Sequence, residues 1–153
     1  MINLILKKLC NEDMRDLFKW RNHPEVRKNS LNSEPILWQQ HQAWFSNKIN
    51  DSRSITYIAY YDDEKIGSIR FDEKEDLIKI SVMVNPDYFE QGFGSKIIRS
   101  GTEKFIKEKK INKPLIAEIK RDNIASIKAF QKAGFKENYL TFIYEHEQND
   151  KNC

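Results

Sequence analysis

The stretch VMVNPDYFEQGFGSK, residues 82–96, decides the fold. It begins as an alternating apolar strand, stops at Pro86 and passes through Gly92 and Gly94 into a helical pattern. Glycines at such a junction let the backbone approach a ligand closely, and the free N–H groups of a helix's first turn attract phosphate or pyrophosphate. A tight strand-to-helix turn that binds nothing explains the glycine pair equally well.

Two better-known phosphate-binding loops are excluded by the residues at fixed positions. A Walker loop needs Lys directly after its last glycine, but Ser95 follows Gly94. A dinucleotide fingerprint needs a third glycine three residues after Gly94, and Ile97 stands there. The loop therefore belongs to neither class.

A second segment, AEIKRDNIASIKAFQKAGF at residues 117–135, resolves the ambiguity. It places Asn123 at the start of a helical pattern that closes with Gly134-Phe135. Together the two segments resemble the GNAT family of acetyl-CoA-dependent N-acetyltransferases, where an apolar strand end, a Gly-x-Gly loop and an Asn-led helix occur in this order. The resemblance extends over the whole chain and implies a GNAT-type acyl-CoA N-acyltransferase fold.

The same resemblance implies acetyl-CoA as cosubstrate and no metal. In the family, the strand before the loop splays from its neighbour and offers backbone groups to the pantetheine and a backbone N–H to the thioester oxygen; by position, Val84 takes that catalytic place. A plain buried strand explains the same valines. The positions to which the resemblance assigns coenzyme binding are Val82, Met83, Val84, Gln91, Gly92, Phe93, Gly94, Ser95, Asn123, Ser126 and Phe130.

Three positions depart from the family pattern. Phe89 and Glu90 stand where the family usually has Arg or Gln followed often by Gly. Because the cradle is made mainly of backbone N–H groups, this change leaves its physical basis in place. Phe130 stands where many members have a Tyr that protonates the departing thiolate, so the chain lacks that acid or places it elsewhere.

Composition indicates one soluble globular domain, with 153 residues, 39% hydrophobic and 32% charged. We expect a single domain over residues 1–145 and a frayed tail over 146–153. The net charge of +3 comes from mixed signs, which excludes a nucleic-acid-binding arm, and no apolar run approaches the roughly 20 residues of a membrane span. Isolated Cys10 and Cys153, without a signal-peptide pattern, predict a cytoplasmic protein with no disulfide or zinc.

Apolar periodicity predicts strand, helix, helix for the first third, then an antiparallel meander whose strands each have one apolar and one polar face. The predicted elements are a strand through residues 2–6, helices over 11–23 and from Pro35, strands over 54–61, 65–72 and 77–84, a helix over 92–109, a strand over 115–120, a helix over 123–133 and a final strand or hairpin over 135–144. The predicted class is α+β, with a mixed, mostly antiparallel central sheet flanked by helices.

Two side chains are candidate general bases for the acceptor amine. Asp72 ends a predicted strand, where a solvated turn is the competing interpretation. His23 is a candidate because histidine is the side chain that ordinarily exchanges protons near neutral pH, and a helix-end position beside Pro24 competes with the catalytic interpretation. Polar strand faces and the first two helices supply the candidate acceptor contacts Arg21, Asn22, His41, Trp44, Arg70 and Ser81.

The segments WRNHP (20–24), HQAWF (41–45) and GSIRFD (67–72) are similar to a GNAT subgroup acting on nucleotide-linked amino sugars, which includes the pseudaminic-acid-pathway acetyltransferases. This implies a UDP-linked amino sugar as acceptor, with Arg21, Arg27 and Arg70 available for its phosphates or else simply surface charges. The opening also resembles ribosomal-protein N-terminal acetyltransferases, and Phe130 leaves open a non-catalytic acyl-CoA-binding module. The expected partners are a small-molecule amine and a second copy in a homodimer, with neither nucleic acid nor membrane.

Overall fold

The computed structural model describes residues 3–140 and 142–145, and its centre is a five-stranded sheet of order β1-β2-β3-β4-β5. The first four strands are antiparallel neighbours, and β5 runs parallel to β4. The strands are β1 (Ile5–Lys8), β2 (Ser54–Tyr61), β3 (Glu64–Glu73), β4 (Ile78–Val84) and β5 (Leu115–Ile116). This sheet, with its flanking helices, confirms the predicted α+β class.

Helices cover both faces of the sheet. Residues that alternate along a strand point to opposite faces, so Tyr57 and Ile58 of β2 lie in different apolar clusters. Tyr57 packs with the residues of α4 and α5, whereas Ile58 packs with those of α1 and α3. The helices are α1 (Met14–Asn22), α2 (Pro24–Asn29), α3 (Trp38–Asn50), α4 (Phe93–Lys109) and α5 (Ile124–Lys132).

Strand β3 is buried on both faces, whereas the sequence predicted one apolar and one polar face. Ile69 and Phe71 face α4, and the polar Ser68 and Asp72 on the other face are also buried. The polar face is covered because α1 and α3 lie over it. The contact on the α4 side is close: a Cβ added at Gly101 would come within 2.7 Å of Ile69.

Several elements begin or end at other residues than predicted. The strand predicted through residues 2–6 is β1, which begins at Ile5, and residue 2 lies outside the described residues. A 3-10 turn at Asn11–Asp13 precedes α1. Helix α3 begins at Trp38 rather than Pro35, because Leu37 is the extended residue that ends the preceding loop. Helix α2 was missed, since six residues are too few to show a helical period.

Two predicted strands are wrong in the described residues. Residues 117–120 are not strand, because β4 and β5 pair at only two positions and the chain then has no partner. The described residues of 135–144 also form no strand, although their apolar pattern favours one; residue 141 and the predicted tail 146–153 lie outside the description. Within the described ranges, no helix has both the length and the apolar character to cross a membrane.

Candidate active site

The pairing of β4 and β5 ends early, and we name the unpaired edge of β4 on the β5 side the β4–β5 cleft. The strands pair at Ile78 with Leu115 and Lys79 with Ile116, and β4 then runs on to Val84. No described residue pairs with β4 beyond Lys79 on this side. Five residues of a central strand therefore present one backbone edge to the cleft.

The direction of the backbone groups in this cleft follows from two hydrogen bonds. The N–H of Ile78 donates to Pro114 on the β5 side, whereas the N–H of Asn85 donates to Ile66 of β3. Successive residues of a strand point their N–H groups to opposite sides. The N–H groups of Val82 and Val84 therefore face the cleft.

The loop after β4 delivers the start of α4 to the end of this cleft. Gly92 caps the helix in the left-handed region, with φ 76°, and no side chain caps the helix there. Because the first N–H groups of a helix have no partner within it, the backbone at Phe93, Gly94 and Ser95 offers donors to an anion. The first turn holds no acidic residue, and the Ser95 hydroxyl donates back to the Gly92 carbonyl.

Gly94 marks where three elements converge. A Cβ at this position would lie 3.4 Å from the Ala129 side chain of α5 and 3.8 Å from the Val84 side chain of β4. Helix α5 is capped by Asn123, whose side-chain oxygen accepts from the Ser126 N–H. The strand end, the Gly-x-Gly loop and the Asn-led helix are thus adjacent in space, as they must be to hold one elongated ligand.

The predicted coenzyme residues contribute in different ways. Gln91 is exposed, but Phe93 is buried between Tyr61 and Tyr88, so only its backbone can face a ligand. Phe130 is 5% exposed and its ring packs edge-on against Phe135. The Phe130 ring itself carries no hydroxyl that could protonate a thiolate.

Glu90 carries a local strain that the sequence did not show. Its φ of 62° lies in the left-handed region, which costs a residue with a Cβ about 1 kcal/mol or more. Its carboxylate also stands two residues before the N-cap of α4, close to the expected position of the pyrophosphate. The position is the one at which the family often has Gly.

Replacing Glu90 with Gly is expected to tighten acetyl-CoA binding about three- to tenfold, because the negative charge near the diphosphate disappears. Isothermal titration calorimetry measures the dissociation constant. Glu90→Ala is the matched control: it removes the same charge and keeps the Cβ, so it should gain about as much affinity, whereas only Glu90→Gly should also relieve the strain and stabilise the fold. Equal affinity in all three proteins would mean that the loop does not meet the diphosphate.

On the other face of β4, two arginines meet one tryptophan. The Cζ of Arg21 from α1 lies 4.3 Å from the centroid of the Trp44 ring, and the Cζ of Arg70 from β3 lies 5.2 Å from it. Arg70 also donates to the Ser81 hydroxyl at 3.3 Å. Met83 packs in the same apolar cluster as Trp44. We name Arg21, Trp44 and Arg70 the arginine–tryptophan cluster.

Arg21 is the unusual member of this cluster. Among the described residues no carboxylate lies within ion-pair distance of it, whereas Arg70 pairs with Asp72 at 2.8 Å. Burial, and then the charge of Arg70, lower the pKa of Arg21 to about 10. Two like charges held near one ring are disfavoured unless an anion arrives. The cluster therefore has the character of an anion receptor.

His41 and Asn22, both predicted to contact the acceptor, are occupied within the protein. The His41 side chain is 0% exposed, with Nε2 2.7 Å from the Met14 carbonyl and Nδ1 3.2 Å from Nη1 of Arg21. The Asn22 side chain donates to the Ile36 carbonyl and accepts from the Ile36 N–H. Burial of the His41 side chain contradicts the prediction that it contacts the acceptor. The Asn22 side chain holds the loop before α3 in place.

Asp72 is neither at a solvated turn nor suited to take a proton. It is 5% exposed and accepts hydrogen bonds from Lys48, Ser54 and Arg70. Burial alone would raise its pKa, but the charge of Arg70 and these hydrogen bonds lower it to about 2. The two donors Lys48 and Ser54 were missed because each lies far from Asp72 in the sequence.

His23 is also engaged. It is the N-cap of α2, and its Nδ1 accepts the Glu25 N–H at 3.2 Å. The Nδ1 lone pair is thus engaged with the backbone, and this contact favours the helix-end interpretation of the residue.

Comparisons with known proteins agree with this arrangement. The family profile described as acetyltransferase (GNAT) domain matches residues 3–136. An uncharacterised protein of Methanocaldococcus jannaschii is 27% identical over 138 residues, which are 87% of this chain and 28% of that protein. The chain thus spans less than a third of that relative. The acetyltransferase PseH of Campylobacter jejuni is 24% identical over 142 residues, covering 92% of this chain and 84% of that protein.

A solved structure has the same fold. Spermidine N-acetyltransferase from Vibrio cholerae, in complex with CoA and spermine, superposes with a TM-score of 0.79 at 16% identity, covering 89% of this chain and 82% of that one. At this identity the likeness concerns the fold alone. Since the family profile spans most of the sequence, and the splayed strand, the Gly-x-Gly helix start and the Asn-led helix meet at one cleft, the chain belongs to the GNAT acetyltransferase family.

Proposed function

We propose that the chain transfers the acetyl group of acetyl-CoA to the amino group of a UDP-linked amino sugar. Coenzyme A would lie along the β4–β5 cleft with its diphosphate on the first turn of α4. The acceptor would approach from the side of the arginine–tryptophan cluster. The proposal includes the cytoplasmic location expected from the sequence, because acetyl-CoA is the donor.

The observation that carries the choice of acceptor is the half-buried Arg21 without a carboxylate partner among the described residues. A diphosphate can bind this guanidinium and that of Arg70 through charge-assisted hydrogen bonds, each worth about twice a neutral one. The Trp44 ring between them adds a flat apolar surface. A nucleotide sugar offers the diphosphate and the amine on one molecule.

The same charges disfavour polycationic acceptors. A polyamine approaching Arg21 and Arg70 would meet two positive charges, of which only Arg70 is partly neutralised by Asp72. The fold likeness to a spermidine acetyltransferase therefore does not extend to its substrate. A ribosomal protein N-terminus also lacks the anion that the cluster requires, which places it second.

The chemistry can proceed without either side chain predicted as a base. Amines on sugar rings are less basic than those of polyamines because hydroxyl groups withdraw electron density, so a useful fraction is neutral near pH 7. Orientation of the two substrates then supplies much of the acceleration, and the N–H of Val84 is available to the developing oxyanion. With Phe130 in place of Tyr, water protonates the thiolate.

Turnover of candidate acceptors tests the proposal. Release of free CoA from acetyl-CoA would be measured with UDP-4-amino sugars, N-terminal peptides and small polyamines. Release with the UDP-sugars alone supports the proposal. Release with peptides or polyamines alone contradicts the acceptor, and tight coenzyme binding without release for any amine indicates a non-catalytic module.

Arg21→Gln is expected to raise the KM for the UDP-amino sugar about ten- to a hundredfold and leave the KM for acetyl-CoA unchanged, because the lost charge faces the acceptor's phosphates and not the coenzyme. Steady-state kinetics with each substrate varied in turn measures the two KM values separately. Arg15→Gln is the matched control, an exposed arginine on the same helix that lies over Trp38 instead. Equal KM values for the UDP-amino sugar in both variants would show that Arg21 does not bind the acceptor.

A further inference from the structure

We infer that His41, a buried residue outside the reacting groups, acts as the positioning residue that aims the Arg21 guanidinium at the acceptor's anion. This inference rests on the anionic acceptor proposed above. It assigns no contact between His41 and the substrate. The geometry that carries it is a ring with 0% exposure whose two nitrogens contact one carbonyl and one guanidinium.

These two partners allow only one form of the ring. A guanidinium has donors and no acceptor, so Nδ1 of His41 must accept from Nη1 of Arg21. The Met14 carbonyl accepts, so Nε2 must carry the hydrogen and donate to it. His41 is therefore neutral with its hydrogen on Nε2. A second hydrogen, on Nδ1, would point a donor and a positive charge at another donor.

A neutral hydrogen-bond acceptor beside Arg21 suits this position better than a carboxylate does. A carboxylate would hold the same guanidinium but would neutralise it, and an incoming phosphate would gain little. The imidazole orients Arg21 and leaves its charge for the ligand. The ring is itself fixed by stacking on Trp44, with centroids 5.7 Å apart, and by contacts with Phe18, Trp38 and Phe45.

The charged groups around His41 all favour the neutral ring. Arg21 of α1 is in direct contact, and Arg70 of β3 lies across the Trp44 ring. Arg15 of α1 lies over Trp38, and Lys48 on the histidine's own helix pairs with Asp72. Burial lowers the pKa of His41 from its ordinary value; the hydrogen bond to the Met14 carbonyl raises it in part, and the charge of Arg21 lowers it further. Protonation below that value would release Arg21.

The test measures binding of UDP-N-acetylglucosamine by calorimetry between about pH 7.5 and pH 5. This probe already carries its acetyl group, so no reaction occurs, and its diphosphate diester keeps both of its negative charges over the range. Nitrogen-edited NMR of the histidine side chains follows the form of His41 in the same samples. His41→Gln keeps an acceptor and a donor at similar spacing but cannot titrate, and His41→Leu keeps the volume without either.

In wild type, we expect the Nε2–H form at neutral pH and a fall in affinity of about tenfold that follows protonation of His41. His41→Gln should stay within a few-fold of wild type at all pH values, and His41→Leu should be about tenfold weaker at all of them. Acetyl-CoA affinity should not change in either variant, which a purely structural role would not predict.

Three results would overturn the inference: an Nδ1–H form at neutral pH, a His41→Leu variant that binds as tightly as wild type, or an affinity that does not follow the protonation of His41. Failure of the proposed function looks different. In that case wild type would not bind the probe at any pH, and the NMR form of His41 would still decide whether it orients Arg21.

Discussion

Gly94→Glu is expected to weaken acetyl-CoA binding at least about a hundredfold. The residue lies in the first turn of α4, where the helix offers unpartnered N–H groups and no side chain caps them. A glutamate there would fill the space between β4 and α5 and would bring a negative charge to the diphosphate. Steric block and charge repulsion act in the same direction, so the effect is larger than that of removing one contact.

Gly94→Ala separates these causes from damage to the fold. A Cβ at this position meets Ala129 at 3.4 Å and Val84 at 3.8 Å, which are ordinary contact distances, so alanine should fold and keep most of the affinity. Calorimetry with acetyl-CoA and a urea unfolding curve should be recorded for both variants. An unchanged dissociation constant in a folded Gly94→Glu protein would show that the diphosphate does not bind at α4.

The donor half of the site was predictable because its residues are consecutive in the sequence. An alternating strand, a proline, a glycine pair and a helical period occupy residues 82–109, so each local preference agrees with the fold. The structure places β4, the Gly92 cap and α4 where that pattern requires. The capping position of Asn123 follows from the same kind of local signal.

The acceptor half was harder because its interactions join distant segments. Arg21 and His41 are twenty residues apart, and Lys48 reaches Asp72 over twenty-four. The sequence identified Arg21, His41 and Asp72 as chemically important but could not show which partners they have. It therefore predicted separate contacts with a substrate, where the structure shows Arg21 bound to His41 and Arg70 bound to Asp72, with both arginines beside the Trp44 ring.

The errors in strand prediction have a physical cause. Residues 117–120 and 135–140 carry apolar patterns that suit a sheet, but a strand exists only where another strand pairs with it. Periodicity reports which residues can be buried and not whether a partner edge is available. At β5 the partner edge is lost after Lys79, and this loss is what opens the cleft.

Strand β4 separates the two halves of the reaction. Its side chains alternate, so Val82 and Val84 pack toward α4 while Met83 packs toward Trp44. In the proposed function, coenzyme A lies along the backbone edge between these faces and the acceptor approaches from the Trp44 side. An amine that arrives from the cluster and a thioester that lies in the cleft would therefore meet at this edge.

Asp72→Asn should lower the free energy of unfolding by about 2–4 kcal/mol, because Lys48 and Arg70 would each lose the anion that balances them. The full range for a buried pair is not expected, since these two side chains are 21% and 25% exposed. The Ser54 hydroxyl would still find an acceptor in the amide. Urea unfolding at about pH 7 measures the difference.

The pH dependence of the free energy of unfolding tests whether the charge of Asp72 causes this loss of stability. The pKa of Asp72 falls from its ordinary 3.8 to about 2 in the folded protein, so its contribution is complete above about pH 4 and is lost as the pH falls toward 2. The difference between wild type and Asp72→Asn should therefore narrow over that interval. Asp76→Asn, which changes an exposed carboxylate in the following turn, should show no such difference at any pH. If the difference in free energy of unfolding between wild type and Asp72→Asn stayed constant with pH, the loss would come from packing and not from charge.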